Sequence, residues 1–140
     1  MKTTHIISLI SRIRYRANRL LLRELKERGI DDLAPSHGDI ISILFEAKVT
    51  SMRVLAERIN RDKSTVTALV KKLVLLGYVE TLDDPDDQRV TLVRLTKKGW
   101  DLKETFDEIS HILLDAVYRG LSQQEKDEIV AGLGRIEQNL

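Results

Sequence analysis

Residues 64–77 carry the side chains best suited to contact a polyanion. Their sequence is STVTALVKKLVLLG, and no acidic residue lies between Ser64 and Val79. Apolar residues recur at the three- and four-residue spacing of a helix; they are Val66, Leu69, Val70, Leu73 and Leu76. The opposite face holds small polar and basic side chains: Ser64, Thr65, Ala68, Lys71 and Lys72. This face is neutral or positive throughout, which suits contact with phosphates and base edges.

A second group of charged residues lies in a turn shortly after this segment. Residues 78–82 and 89–95 are rich in β-forming residues, and the DDPDD sequence at 83–87 is typical of a turn. The pattern predicts a hairpin with a charged tip that includes Arg89. An arginine in this position can enter the minor groove of a duplex, where the electrostatic potential is most negative.

The elements in front of the hairpin are predicted to be helices joined by short turns. One helix follows Pro35, whose fixed φ suits a first helical position. A short helix over 52–59 has Ser51 as its N-cap. The polar break at 60–63 leads directly into the helix that ends at Gly77. Two helices, a tight turn and a hairpin form a winged helix-turn-helix, whose second helix fits the major groove.

Amphipathic helices are predicted on both sides of this module, which spans 33–98. Apolar stripes run over 6–25, 102–117 and 129–140 at helical spacing. A single small module cannot cover these stripes, so the helices within 1–32 and 99–140 are expected to need partner helices. The expected fold class is mainly α with a small β-hairpin wing, flanked by these terminal helices.

Composition excludes several classes of function. The chain has 140 residues, 42% hydrophobic and 32% charged, as in an ordered soluble domain, and it has no cysteine. A disulfide framework, an iron–sulfur cluster and a thiol redox sensor are therefore excluded. No apolar run reaches the roughly 18 residues of a membrane helix, so a cytoplasmic location and no membrane partner are expected. The three histidines lie far apart, and we expect neither a metal nor a cofactor.

The net charge of +1 conceals an uneven distribution along the chain. Residues 1–28 carry +6, residues 53–82 carry +3 and residues 99–140 carry −5. One hypothesis is that the N-terminal arginines, Arg16 and Arg19 among them, lie against the acidic C-terminal segment at a dimer interface. The alternative is a row of arginines that faces solvent.

The sequence resembles the MarR family of bacterial transcription regulators. The similarity runs through VLAERINRDKSTVTALVKKLVLLGYVE and continues into DDPDDQRVTLVRLTKKG, with weaker agreement over 33–44. A D-P-x-D-x-R wing motif begins at Asp84, and an L-T-x-x-G helix start begins at Leu95, with Thr96 as the cap and Gly99 as the glycine. The resemblance implies a homodimer that binds a pseudo-palindromic operator on double-stranded DNA, and we expect it to act as a repressor.

The resemblance also implies roles for individual residues. The segment from Ser64 to Lys72 would be the recognition helix, Arg89 would enter the minor groove, and Asp87 would orient Arg89 through a salt bridge. Ala68 departs from the family, because many relatives carry arginine there. The remaining candidates for base contacts are Ser64, Thr65, Thr67 and Lys71. A solvated helix face is the alternative interpretation of Lys71 and Lys72.

Other polar residues have weaker predictions. DNA backbone contacts are expected from Arg53, Arg61 and Lys63. Arg94, Lys97 and Lys98 could pair with acids of the wing instead of DNA. Many members of the family bind a small anionic or aromatic effector; the candidates to line such a cleft are Tyr15, Arg16, His37 and Phe45.

Two rival classes of function remain. A winged helix can bind another protein with the same face, in which case DNA binding would be weak and insensitive to salt. An enzyme would need a catalytic motif, and the sequence has no phosphate-binding loop, nucleophile elbow or H-E-x-x-H. We therefore predict that the protein is not an enzyme.

Overall fold

The computed structural model describes all residues, 1–140, and contains seven α-helices and three strands. A 3-10 turn at Thr3–His5 precedes the first helix. The elements are α1 Ile6–Glu27, α2 Pro35–Ala47, β1 Val49–Ser51, α3 Met52–Ile59, α4 Lys63–Leu75, β2 Val79–Asp83, β3 Thr91–Leu95, α5 Lys97–Trp100, α6 Lys103–Val117 and α7 Gln123–Gln138. The predicted winged-helix fold with terminal helices is confirmed.

The wing is a three-stranded antiparallel sheet with the order β1-β3-β2. The predicted hairpin pairs Val79 with Leu95 at its base and Asp83 with Thr91 towards its tip. The third strand was not predicted. Strand β1 has only three residues, pairs Val49 with Arg94, and follows Lys48 at a φ of 64°. A strand this short is fixed by its distant partner and leaves no periodic signal in the sequence.

A closed hydrophobic core lies beneath α2, α3, α4 and the sheet. It contains 14 buried residues, and those with no exposed surface include Ile40, Leu44, Leu55, Leu73 and Val93. Each of these helices contributes at least one such residue, so one core fixes the helices and the sheet relative to one another. The position of α4 is therefore set by packing rather than by its own helical propensity.

The helix predicted after Thr96 is divided into α5 and α6. The backbone at Asp101 remains right-handed helical, but the Leu102 amide bonds the Gly99 carbonyl three residues back, at 3.2 Å. Gly99 is held tightly, because an added Cβ would lie 2.1 Å from the Tyr78 carbonyl oxygen. Periodicity reveals neither this close contact nor the break in the helix at 101–102.

The terminal helices bury very little of their surface. Helix α1 buries only Leu25, α6 only Ile109, and α7 buries no residue. Their exposed apolar side chains include Ile7, Ile13, Leu114, Val117, Ile129, Val130 and Leu133. Phe45 of α2 joins the core to α6, since its ring lies 5.7 Å from both Trp100 and Phe106.

Candidate nucleic-acid interface

Helix α4 begins one residue earlier than predicted, because Asp62 is its N-cap. The Asp62 carboxylate accepts hydrogen bonds from the Thr65 amide at 2.7 Å and from the Ser64 hydroxyl at 2.9 Å. These bonds, that from the Thr65 amide first, hold the Asp62 pKa below its ordinary value. Aspartate before an apolar periodic run is a strong capping signal, which could have located this start from the sequence.

The outward face of α4 has the composition that the sequence predicted. The exposed residues include Ser64, Thr67, Ala68, Lys71 and Lys72, whereas Thr65 is half-buried. The inward face is fixed in the core, because Val66 and Val70 are each 1% exposed. The first three turns of the helix therefore present short polar side chains, the Ala68 methyl group and two lysines to the outside, and Val74 and Leu75 are exposed in its last turn.

Two hydroxyl groups on this face already donate their protons within the helix. Ser64 donates to Asp62, and Thr67 donates to the Lys63 carbonyl at 2.8 Å. Their oxygens retain lone pairs and can accept hydrogen bonds. In this arrangement they suit the amino groups of adenine and cytosine, which are the donors in the major groove.

At the wing tip, Arg89 is tied to Asp87 in the expected ion pair. The Arg89 Nε lies 3.1 Å from Asp87 Oδ1, and its Nη2 lies 3.3 Å from Oδ2. The Arg89 amide also donates to Asp87 Oδ1. These bonds, those from the guanidinium first, lower the Asp87 pKa. The guanidinium remains 91% exposed, so it is oriented but still accessible.

Arg53 and Arg89 line one open groove between α3 and the wing. The groove has a volume of about 390 Å³ and also contains Ser51 and Thr91. Arg53 pairs loosely with Glu57, at 3.6 Å. The structure therefore places a predicted backbone-contact residue beside the predicted minor-groove arginine.

The other predicted backbone residues lie near the start of α4. Lys63 is exposed in its first turn. Arg61 donates to the Ser36 hydroxyl at 3.2 Å, so its position is partly set by α2.

Two of the three basic residues Arg94, Lys97 and Lys98 have partners within the chain. Arg94 donates to Glu80 of the adjacent strand at 2.6 Å, so it pairs with a wing acid. Lys98 does not pair with a wing acid, because its ammonium donates to the Leu76 carbonyl at 2.6 Å. Lys97 is exposed and makes no side-chain hydrogen bond or ion pair.

Comparison with known proteins agrees with this geometry. Residues 33–99 match the family model described as a winged helix DNA-binding domain. The transcriptional regulator SarZ of Staphylococcus haemolyticus is 34% identical over 102 residues, which cover 71% of this chain and 66% of SarZ. The chain resembles a MarR transcriptional regulator of Methanosarcina mazei with a TM-score of 0.86 at 21% identity, covering 98% of this chain and 96% of that one. The chain therefore contains a winged helix DNA-binding domain and shares its fold with MarR transcriptional regulators.

A MarR mutant from Escherichia coli, solved in complex with operator DNA, has the same fold. Its TM-score is 0.83 at 22% identity, and the alignment covers 97% of this chain and 99% of that one. The chain spans about two thirds of the length of the curated relatives SarZ and YdgJ, 66% and 71%. It matches nearly the whole of the solved MarR chain, so the terminal helices belong to the shared fold as well.

The four effector candidates lie on α1 and near the two ends of α2. Tyr15 and Arg16 are exposed on α1, and the Tyr15 ring lies 5.8 Å from the Arg19 guanidinium. Phe45 packs between Trp100 and Phe106. The imidazole of His37 accepts a hydrogen bond from the Ala34 amide at 2.9 Å and so supports the start of α2. No hydrogen bond, ion pair or ring contact joins any two of these four residues, and an effector cleft lined by them stays a prediction.

A different cavity lies between α1, α2 and α6. Its volume is about 150 Å³, and its walls include Leu21, Leu25, Gly38, Phe106 and Ile109. None of the four candidates lines it. The cavity was not predicted because its walls are apolar positions that the sequence pattern assigns to helix packing.

One carboxylate, that of Asp39, lies at the edge of this cavity. Burial raises the Asp39 pKa, and Arg14 opposes the rise from 3.5 Å away. Ser42 and Ser110 are the neighbouring polar side chains.

His37 is a buried titratable residue, only 4% exposed. Because its Nδ1 accepts a hydrogen bond, the proton of the neutral ring is on Nε2. That atom has no partner, and neither has the buried Oδ1 of Asp32. Burial first, and then the charge of Lys72, lower the His37 pKa, while Asp32 opposes them.

Two further kinds of site are not found. No group of three or more His, Cys, Asp or Glu side chains lies close enough together to hold a metal ion. None of the helices combines the length and the apolar character that crossing a bilayer requires.

Proposed function

We propose that the protein is a homodimeric repressor that binds a pseudo-palindromic operator and responds to a small-molecule effector. In each subunit α4 lies in a major groove and the wing reaches the adjacent minor groove. The observation that carries the proposal is the exposed face of α4, free of acidic side chains, in the same module as a wing tip with an oriented arginine. The curated relatives YetL of Bacillus subtilis and IacR of Pseudomonas putida are named as repressors.

In the major groove, some residues of the exposed α4 face are proposed to contact bases and others to contact phosphates. Ser64, Thr65 and Thr67 lie near the helix start, which approaches base edges in helix-turn-helix proteins. Ala68 offers a methyl group to thymine. Lys71 and Lys72 reach bases or phosphates further along the helix.

In the minor groove, Arg89 is the proposed contact and Asp87 orients it. The ion pair restricts the guanidinium before DNA arrives, which lowers the conformational entropy lost on binding. Arg53 lies across the shared groove and is proposed to hold the flanking backbone, with Arg61 and Lys63 on the other side of the module.

The terminal helices are proposed to form the dimer. Their apolar side chains are large and exposed on three long helices, as expected for surfaces that a second copy covers. The row formed by Arg12, Arg16, Arg19 and Arg23 is exposed and makes no ion pair within the chain. The acidic residues of α7 offer opposite charges to this row, so the second copy complements it.

The proposed effector site is the cavity between α1, α2 and α6. It lies at the junction of the terminal helices with the reading module, so a ligand there touches elements of both. The fold neighbour BpsR of Bordetella bronchiseptica is described as regulated in DNA binding by 6-hydroxynicotinic acid; it has a TM-score of 0.82 at 20% identity. Because a transcriptional regulator must reach the chromosome, the proposal places the protein in the cytoplasm of a prokaryotic cell.

The test is selection of bound duplexes from a random library, followed by affinity measurements at several salt concentrations. We expect a two-fold symmetric site and a steep loss of affinity with salt, since each neutralised phosphate contributes a slope of about −0.9. Lys71→Ala should weaken binding, whereas Lys26→Ala, which removes an exposed lysine from α1, should not. A protein that enriches no duplex, or whose weak binding ignores salt, would favour the protein-binding alternative.

A second arm of the test addresses the wing. Arg89→Ala is expected to reduce affinity most for operators with A·T-rich flanks, because their narrow minor groove attracts arginine most strongly. Equal losses on A·T-rich and G·C-rich flanks would exclude the minor-groove contact.

A further inference from the structure

Three successive carbonyl groups at the end of α4 are bound by the segment that follows the wing. The Thr96 hydroxyl donates to the Gly77 carbonyl at 2.5 Å, and the Thr96 amide donates to the Tyr78 carbonyl at 3.0 Å. The third carbonyl, that of Leu76, receives the Lys98 ammonium at 2.6 Å. The chain leaving the recognition helix is therefore fastened to the chain leaving the hairpin.

Lys98 is exposed, but its side chain contacts the protein both at its stem and at its ammonium. Its Nζ lies 4.5 Å from the centre of the Tyr78 ring, a cation–π distance. Its stem crosses Gly77, because a Cβ added there would lie 3.6 Å from Lys98 Cδ. A cation at this point also stabilises the negative end of the α4 dipole. The ammonium is thus engaged by the protein itself.

The fastened segment is the pivot between the two proposed DNA-contacting elements. Helix α4 ends at Leu75, Gly77 adopts a φ of 84°, and β2 begins at Val79. The five residues of β2 reach about 17 Å from this pivot. A rotation of about 10° would therefore move the wing tip by about 3 Å, half the width of a minor groove of about 6 Å.

We propose that Lys98 is a positioning residue that fixes the angle between the recognition helix and the wing, and that it does not contact DNA. The inference rests on the proposed function, because it concerns simultaneous reading of two adjacent grooves. Thr96 belongs to the L-T-x-x-G motif, whereas Lys98 occupies a position that the motif leaves open.

The main test replaces Lys98 while keeping the length of its side chain. Lys98→Met removes the charge and the donor but retains the stem over Gly77. Lys97→Met is the matched control, because it removes the same charge from an adjacent exposed lysine without a partner. Lys98→Arg restores a cationic donor.

Affinity is measured on a selected operator with A·T-rich or G·C-rich flanks. We expect Lys98→Met to bind the A·T-flanked duplex about tenfold less tightly, as for the loss of one charge-assisted hydrogen bond. Its flank preference should fall to that of Arg89→Ala, although Arg89 is present. Lys97→Met should retain the preference, and Lys98→Arg should regain most of it. A full flank preference in Lys98→Met would overturn the inference.

Two measurements separate positioning from other roles. If Lys98 contacted a phosphate, Lys98→Met would reduce the slope of log K against log salt concentration by about 0.9, the contribution of one phosphate. We expect this slope to be unchanged. If the lysine only stabilised the fold, Lys98→Met would lower the melting temperature and leave the flank preference intact. Either result would refute a positioning role.

A DNA-free measurement keeps the inference separate from the proposed function. Because the chain has no cysteine, Ala68→Cys and Asp86→Cys give two unique sites for spin labels on α4 and the wing tip. The labelled chain is diluted with unlabelled chain so that distances within one subunit dominate. Lys98→Met should broaden or shift the distance distribution, and Lys97→Met should not. An unchanged distribution defeats the inference, whereas failure of wild-type protein to bind any duplex defeats only the proposed function.

Discussion

The reading module and the terminal helices differ in where their apolar surface is covered. Helix α2, with 13 residues, buries five of them, whereas α1 buries one of 22 and α7 none of 16. The module is therefore stabilised largely within one chain, whereas the apolar side chains of the terminal helices would be covered by the second subunit of the proposed dimer. The two regions should respond differently to mutation and to protein concentration.

The largest expected effect is a cavity in the module core. Leu44 has no exposed surface, so Leu44→Ala should lower the free energy of unfolding by about 2–5 kcal/mol. Urea unfolding monitored by circular dichroism measures this change. The same truncation at exposed Leu133 should act mainly through dimer stability and fade at high protein concentration. The comparison between the two regions would be contradicted if the loss of stability depended on protein concentration in Leu44→Ala and did not in Leu133→Ala.

The next effect concerns two glycines, one from each region. An added Cβ at Gly99 would lie 2.1 Å from the Tyr78 carbonyl oxygen, whereas one at Gly132 of α7 meets nothing within 4 Å. Gly99→Ala should destabilise by about 1–3 kcal/mol through overpacking. Gly132→Ala should stabilise an open helix position by about 0.5–1 kcal/mol. Thermal denaturation compares the pair, and destabilisation by Gly132→Ala would indicate that the partner subunit packs closely there.

A smaller effect tests the charges of the proposed dimer. Reversing two exposed arginines, Arg16→Glu with Arg19→Glu, should raise the dimer dissociation constant by about tenfold, since each partly shielded pair contributes less than about 1 kcal/mol. Analytical ultracentrifugation gives this constant. Arg53→Glu, in the module, should leave the constant unchanged while weakening DNA binding. An unaltered constant in the double variant would show that the arginine row faces solvent.

The smallest effect is a pH dependence that originates in the module. The folded protein disfavours protonated His37, so its pKa lies below that of the unfolded chain, near 6.5. The unfolded state then binds more protons in acid, and stability falls as the pH drops below about 6.5. His37→Gln can still accept from the Ala34 amide and cannot titrate, so its stability should decline less steeply. Exposed His111→Gln is the control and should follow the wild-type profile in urea unfolding.

The sequence predicted well those features that are encoded locally. The Ser51 cap, the left-handed Gly77 and the hairpin follow from short-range patterns, and each is present. The Asp87–Arg89 pair, which the resemblance to the MarR family implied, is present as well. The buried stripe of α4 follows from periodicity alone.

The features that were missed depend on contacts between distant segments. Strand β1 forms where Val49 pairs with Arg94, and Gly99 packs closely against the Tyr78 carbonyl. The role of Lys98 and the walls of the apolar cavity are likewise properties of packing. In the sequence, Lys98 differs little from Lys97, and only the structure separates them.

The acidic turn beside Arg89 affects which nucleic acids the wing can bind. The tip carries four aspartates, Asp83, Asp84, Asp86 and Asp87, against the one guanidinium of Arg89, so its net charge is negative and at long range it repels a polyanion. We expect net attraction between the tip and a nucleic acid only where Arg89 enters a narrow, deep groove. The shallow minor groove of A-form RNA offers none, and a single strand has no groove. The tip is thus expected to slow association and to discriminate against transcripts, so that the regulator stays on the chromosome rather than on nascent RNA.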